Sequence, residues 1–134
     1  MAAMAVVLWA GYAVVSGKGG GDASPAGEQF KPVAPLICLM YAQDLHFERL
    51  NSFLADETQK DRAEKIRNEA LVLAELANVN RLHKNKPDYR QWAEDVRGAA
   101  LDLAAAAASG DFGKAKELSK RINITCTACH KQYQ

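Results

Sequence analysis

Four stretches of the chain repeat apolar residues at helical spacing, and short breaker sequences separate one stretch from the next. None of them shows the strict alternation of apolar and polar residues that an exposed strand requires. An amphipathic helix must bury its apolar stripe against another element, and short connections make neighbouring helices antiparallel. The sequence therefore predicts an all-α domain over residues 32–134, built as an antiparallel up-down-up-down four-helix bundle.

The first predicted helix covers residues 35–56 and begins at a proline, whose fixed φ suits the first helical position. The second covers residues 58–82, and the third follows the break at residues 84–87 and ends at Gly110. The fourth begins after Asp111, a natural N-cap, and continues to the chain end. The residues expected on the inner stripes are Leu36, Met40, Phe47, Leu50 and Leu54, then Ile66, Ala70, Leu73 and Ala77, then Trp92, Val96, Ala99, Leu103 and Ala106, and finally Ala115, Leu118, Ile122, Cys126, Cys129 and Tyr133.

An apolar run precedes this domain at the amino terminus. Residues 2–15 form about fourteen apolar residues, which at 1.5 Å per residue are too short for a hydrocarbon core of ~30 Å but match the h-region of a signal peptide. No Lys or Arg precedes the run and no clear Ala-x-Ala site follows it, so a signal peptide and a retained membrane anchor both stay open for residues 1–16, with an ordinary buried helix as a third interpretation. Residues 17–31 are rich in Gly, Ser and Pro and are expected to be a flexible linker. Either leading interpretation predicts a periplasmic or other extracytoplasmic domain, with or without a membrane tether.

Charge and cysteine content exclude several classes of protein. A formal net charge of +1 over 134 residues offers no basic excess for a nucleic-acid partner. Only three cysteines occur, so the chain is not a disulfide-stapled scaffold. Two of the three lie within the last ten positions, whereas Cys38 lies far upstream.

The pair near the carboxyl terminus belongs to the pentapeptide Cys126-Thr127-Ala128-Cys129-His130, the attachment pattern of c-type haem. Each thiol adds across one vinyl group of the porphyrin, and positions i and i+3 of a helix place two sulfurs along one edge of the ring. Position i+4 places His130 on the same face, where its imidazole can bind the iron, whereas a shift by one residue would turn it about 100° away. We expect one covalent haem c held by Cys126 and Cys129, with His130 as an axial iron ligand.

The cysteine pair has two alternative interpretations, a redox-active dithiol and a zinc site. A thioredoxin-like redox pair requires strands that this sequence does not predict. A zinc site requires four ligands, which would have to include Cys38, His46 or His83 from other helices, and the chain has no second paired motif. Covalent haem is the stronger prediction.

With the motif near the end of the fourth helix, CTACHKQYQ, and a tyrosine three residues after the histidine, the chain resembles the cytochrome c prime superfamily, including its low-spin members with a distal methionine. The resemblance spans about residues 35–134. It departs from the family pattern at Gln134, where relatives usually carry a basic residue. The resemblance implies a four-helix bundle in which the first helix supplies the group on the far side of the iron.

Met40 is the leading candidate for this distal ligand, because it lies one turn after Leu36 on the inner stripe of the first helix. A flexible core filler is its alternative role. Cys38 lies on another face and is expected to be buried as a small hydrophobe, His46 to lie at the surface or rim, and His83 to close the second helix. Tyr133 is expected either to pack on the proximal side or to fill the core.

The distal group separates two functions. Ligation by His130 and Met40 leaves iron no open position and describes an electron carrier, which is the predicted function. A five-coordinate iron that binds NO or CO is the alternative, and a haem subunit of a larger membrane redox complex is another. No distal His and Arg pair is evident for peroxidase chemistry, so we do not expect an enzyme. Expected partners are redox proteins or a membrane redox complex, and the family resemblance adds a homodimer as a candidate assembly.

Overall fold

The computed structural model describes residues 30–133, which fold into four helices: α1 (Leu36–Ala55), α2 (Arg62–Asn80), α3 (Pro87–Ala108) and α4 (Phe112–Tyr133). No strand occurs in this part of the chain, so the predicted all-α class is confirmed. The compact unit that holds the helices begins at Lys31. The expected signal peptide or anchor at residues 1–16 lies outside the described residues, as does nearly all of the linker. Among residues 30–133, no helix has both the length and the apolar character needed to cross a membrane.

The turn between α1 and α2 is longer than the periodicity predicts. Asp56 Oδ1 accepts hydrogen bonds from the backbone N–H of Thr58 (3.0 Å) and from its hydroxyl (2.7 Å), which holds Thr58 in a turn. Asp61 then adopts a left-handed conformation with φ 56°, which no continuous right-handed helix can include. For these two reasons α2 begins at Arg62 rather than at residue 58.

The other helix ends agree with the sequence. Pro87 occupies the first turn of α3, and Gly110 follows the end of α3 with φ 77°, a left-handed conformation that glycine adopts at helix ends. Asp111 caps α4, because its Oδ1 accepts a 3.0 Å hydrogen bond from the backbone N–H of Lys114.

Each helix packs against its neighbours in sequence. The first and last helices, α1 and α4, are also in contact, but much less extensively than α1 and α2. Between α1 and α2, Gln43 pairs with Asn80, His46 with Glu69, and the Phe53 carbonyl with Arg62. As the residue number on α1 rises, the residue number of its bonded partner on α2 falls. The four-helix bundle is confirmed, and these pairings make α1 and α2 antiparallel.

The core follows the predicted stripes of α2, α3 and α4. The largest fully buried side chains are Leu50, Ile66, Leu73, Leu103 and Ile122. Small residues of α3 are also buried, and their size allows neighbouring helices to approach closely: Ala99, Ala100, Ala104, Ala106 and Ala107.

Burial along α1 is uneven. Leu50 and Leu54 in its second half belong to the core, whereas Leu36 and Met40 in its first half are only half-buried. On the adjacent side of this first half, about 100° around the helix, Ile37, Tyr41 and Leu45 are 57%, 71% and 53% exposed. The half of α1 that carries Met40 therefore adds little apolar burial to the bundle.

Candidate functional site

The attachment pentapeptide lies in the last turns of α4, where His130 is exposed and lines the clefts between α4 and α1. Cys126 and Cys129 are both half-buried, one helical turn apart, and Cys126 packs against the hydrophobic core. The inner stripe of α4 leads into the motif, since Ala115, Leu118 and Ile122 are buried at helical spacing before it. The sequence of α4 thus turns both sulfurs inward.

Two adjoining clefts open beside the motif, and both reach from α4 to α1. Each is lined by Met40 and Gln43 of α1 and by Cys126 and His130 of α4. Both clefts are open to solvent, and the space within them is about 360 and 580 Å³ when the solvent-open parts are included. The structure therefore brings the predicted distal residue and the predicted haem-binding residues to the same space.

The smaller cleft has the lining that a flat aromatic ring system requires. Cys129 contributes to it, and its remaining walls are mostly apolar and aromatic side chains from α2 and α3: Ala77, Tyr89, Trp92, Ala93 and Val96. Trp92 and Tyr89 pack edge-to-face against Tyr133, with ring centroids 6.0 and 5.4 Å away. Such walls exclude water from a porphyrin while two thiols hold it from one side.

The thiols do not have the properties of a redox-active pair. Burial, with a smaller contribution from Cys129, raises the pKa of Cys126 to about 11, and burial also raises the pKa of Cys129. A thioredoxin-like pair depends on a lowered pKa, because the thiolate is the nucleophile. This environment disfavours the redox-pair alternative on grounds independent of the missing strands.

The zinc alternative also finds no support in the described part of the chain. Within residues 30–133, no group of three or more His, Cys, Asp or Glu side chains lies close enough to hold a metal ion. Cys38, His46 and His83 line neither cleft. The zinc interpretation would have required at least one of them beside the cysteine pair.

Two buried polar groups test whether the cleft fits a haem. Both line the smaller cleft, and neither the Asn80 Oδ1 atom nor the Tyr89 hydroxyl has a hydrogen-bond partner among the described residues. Burial raises the pKa of Tyr89 to about 12, so its hydroxyl stays protonated and can donate. A haem combines an apolar ring with two carboxylates, and an apolar cleft with a spare O–H donor matches that combination. The residues present therefore fit the group.

The remaining residues considered near the iron, which are one cysteine, two histidines and a tyrosine, all lie outside the linings of the two clefts. Cys38 is exposed, so the prediction that it is buried was wrong; it lies on the outer side of α1, beside the exposed Ile37. His46 is half-buried at the rim and bonds to Glu69 on α2 through Nδ1 at 2.5 Å. His83 follows the end of α2, and its backbone N–H donates to the Asn80 carbonyl. Tyr133 is half-buried on the α3 side of the site.

Sequence reasoning missed three residues that line the site: Gln43, Asn80 and Tyr89. Gln43 lies three residues after Met40, and Asn80 lies three residues after Ala77, so each continues an apolar stripe with a polar side chain. A polar residue on a buried stripe is a signal that can be found in the sequence. Tyr89 gives a weaker signal, because it precedes Trp92 by three residues at the start of a helix.

Comparisons with known proteins find a family similarity for the carboxyl-terminal part of the chain. The family model described as Cytochrome C' matches residues 79–134. No curated protein and no solved structure matches the chain. The family implies covalently bound haem c with its iron, a role in electron transfer or gas binding, and a location that is typically extracytoplasmic. Over residues 79–134, which include all of α3 and α4 with the attachment motif, the chain is similar to the cytochrome c prime family.

Proposed function

We propose that the protein is a monohaem electron-transfer cytochrome in which Cys126 and Cys129 hold haem c and His130 and Met40 are the axial ligands of its iron. The match to the family supports the haem and leaves two roles, electron transfer and gas binding. The distal residue decides between them, and α1, which carries it, lies outside residues 79–134. The proposal therefore depends on the geometry of α1 and α4.

The single observation that carries it is the position of Met40 across from His130. The two residues come from different helices, and both line the same two clefts together with Cys126. No histidine other than His130 lines either cleft, which favours a thioether over a second imidazole on the distal side. Met40 is half-buried and flexible, and a thioether can reach an iron bound between the two helices.

The haem would supply the one-electron couple, and the chain sets its environment. As ligands of a bound haem iron, His130 and Met40 would raise its reduction potential and would leave it no open position. Trp92, Val96 and the neighbouring apolar side chains keep water from the smaller cleft. An iron bound by both side chains would have no free position for a substrate, which suits an electron carrier rather than a catalyst, and we propose no enzymatic activity.

Partners and location follow from the same proposal. The partner would be a redox protein or a membrane redox complex on the extracytoplasmic side, where the family typically resides. The net charge of +1 gives no support for a nucleic-acid partner. A homodimer is a further assembly to be tested by the mass of the holoprotein in solution.

The optical spectrum of the ferric holoprotein tests the proposal, with Met40→Ala as the variant. We expect a low-spin wild type that does not bind CO rapidly when reduced, and a high-spin Met40→Ala variant that does. Leu39→Ala is the matched control, because Leu39 is a half-buried neighbour on α1 that lines neither cleft, and its spectrum should stay low-spin. A high-spin wild type that binds CO would replace electron transfer with gas binding as the function.

A further inference from the structure

The half of α1 that carries Met40 lacks an apolar anchor in the bundle. Between the start of α1 at Leu36 and residue 49, no hydrophobic side chain is fully buried, and the first buried one is Leu50. α1 also touches α4 only slightly, and its hydrogen bond to α4 joins Asn51 to Ser119, neither of which lines a cleft. Phe47 packs against the core while only partly buried, so polar contacts have a larger share in holding this part of α1 in place.

Two polar bridges join this half of α1 to α2. The Nδ2 group of Asn80 donates a 2.7 Å hydrogen bond to Oε1 of Gln43. One turn further along α1, Glu69 Oε2 lies 2.5 Å from His46 Nδ1 and Glu69 Oε1 lies 3.0 Å from an Arg49 nitrogen. Asn80 and Glu69 are only 2% and 7% exposed, so both bridges end on buried polar groups. Bonds to buried groups constrain geometry strongly, because losing them leaves a desolvated group without a partner.

The Gln43–Asn80 bond is the bridge next to the site. Gln43 follows Met40 by three residues, so the two side chains share one face of α1, and both line both clefts. Asn80 lines the smaller cleft, and its amide group is buried there. The Gln43–Asn80 bond therefore holds the turn of α1 that carries Met40. The residues bonded to Glu69 line neither cleft, so that bridge holds a later turn of α1.

We propose that Gln43 and Asn80 are positioning residues: their hydrogen bond holds the Met40 side of α1 against the clefts and so controls access to the iron from that side. This inference rests on haem binding at Cys126, Cys129 and His130, as in the proposed function. It does not require Met40 to be a ligand. If Met40 binds iron, the bond keeps it bound; if Met40 only covers the iron, the bond keeps the cover closed.

Loss of the Gln43–Asn80 hydrogen bond leaves the buried amide of Asn80 without this partner and removes a contact that holds one turn of α1 against α2. Gln43→Leu removes the acceptor and keeps the volume, so Asn80 Nδ2 loses its partner while the helix keeps a good former. Gln43→Glu is the conservative variant, because a carboxylate oxygen can accept the same hydrogen bond. Ser119→Ala is the control, since it removes the bond to Asn51 further along α1, and Ser119 lines neither cleft.

The experiment measures the rate of CO binding to the ferrous holoprotein, together with the reduction potential and the helix content of each variant. For Gln43→Leu we expect CO binding to become roughly tenfold faster, the size of effect that follows from the loss of one buried hydrogen bond with its partner stranded. Ser119→Ala should bind CO at the wild-type rate, Gln43→Glu should bind CO more slowly than Gln43→Leu, and helix content should not change. If Met40 is a ligand, the potential of Gln43→Leu should fall as well.

The outcomes separate this inference from the proposed function. Unchanged CO binding in Gln43→Leu overturns the positioning role, whatever the spin state of the wild type. Equal acceleration in Gln43→Leu and Ser119→Ala also overturns it, because a general loosening of α1 would then explain the effect. A high-spin wild type whose CO binding is still accelerated by Gln43→Leu overturns methionine ligation and retains the positioning role. Should Gln43→Leu fail to fold with haem, Asn80→Ala tests the same bond from α2.

Discussion

The hydroxyl of Tyr133 donates a 2.7 Å hydrogen bond to Oδ1 of Asp88 and thereby ties the end of α4 to the first turn of α3. Gln132 donates a second hydrogen bond to the same carboxylate, through Nε2 at 2.7 Å. The ring of Tyr133 in turn packs edge-to-face on Tyr89 and Trp92, which line the smaller cleft. A surface hydrogen bond thus fixes an aromatic cluster that forms the wall of the site.

The contribution of this bond to stability should depend on pH at both extremes. The hydrogen bond from Tyr133 lowers the pKa of Asp88 below 3.8, so its stabilising effect is present above about pH 3.8 and is lost as pH falls through the folded pKa. The hydrogen bond to Asp88 raises the pKa of Tyr133 above 10, so its effect is present below about pH 10 and is lost as pH rises further. We expect Tyr133→Phe to be less stable than the wild type from pH 5 to 9, and the difference to narrow outside that window.

Urea unfolding followed by circular dichroism at several pH values measures this difference. Tyr41→Phe is the matched control, because Tyr41 is an exposed tyrosine of α1 and lies outside the Asp88 cluster. The control should lose no stability at any pH. A constant difference between Tyr133→Phe and the wild type from pH 3 to 11 would show that the hydrogen bond is not the cause.

Loss of the α4 cap should weaken the bundle measurably. Asp111→Ala removes the acceptor for the Lys114 backbone N–H, and caps of this kind contribute about 1 kcal/mol to the free energy of unfolding. Asp102→Ala on the exposed side of α3 provides the comparison and should be nearly neutral. The free energies of unfolding in urea decide the point, and equal values for the two variants would argue against the cap.

Two leucines of α3 offer a direct test of the core. Leu103 is fully buried, whereas Leu101, two residues earlier, is 40% exposed. Leu103→Ala should lower the free energy of unfolding by about 2–5 kcal/mol, because it removes buried methyl groups and leaves a cavity. Leu101→Ala should lower it by much less. The ranking, measured by chemical denaturation, would be reversed only if α3 were rotated in the bundle.

Single cysteine substitutions should reveal the covalent attachment. In Cys126→Ser and in Cys129→Ser one thioether remains, so pigment should stay with the chain after denaturing extraction, whereas the double variant should lose it. Cys38→Ser should behave as the wild type, because Cys38 is exposed on α1 and lines neither cleft. Absorbance of the extracted chain and its mass give the result. Pigment retained by the double variant would contradict attachment through the motif.

The sequence was most informative where one helix faces another along its whole length. Ile66, Ala70, Leu73 and Ala77 were predicted as the inner stripe of α2, and all four are buried. The spacing of 3.6 residues per turn reports burial directly there, because α2 contacts both α1 and α3. The cap at Asp111 was predictable for a similar reason, since it depends on residues close in sequence.

Features that depend on distant partners or on turn conformation could not be predicted from the sequence. Nothing near Gln43 indicates that its acceptor role is matched by Asn80 on α2, and nothing near Cys38 indicates that its side of α1 faces outward. The late start of α2 depends on the left-handed Asp61, a conformation that an aspartate adopts only in particular turns. Such details arise from tertiary pairing and turn geometry rather than from local periodicity.

The uneven burial of α1 has a consequence for its opening motions. Leu50 and Leu54 join the second half of the helix to the cooperative core, so its amide protons should exchange with solvent only when the whole bundle opens. Amide protons around Met40 lack such neighbours and should exchange through a smaller local opening. One helix would then contain two units of different local stability, with their boundary one or two turns before Leu50. The segment around Met40 would unfold locally and refold while the rest of the molecule stays folded.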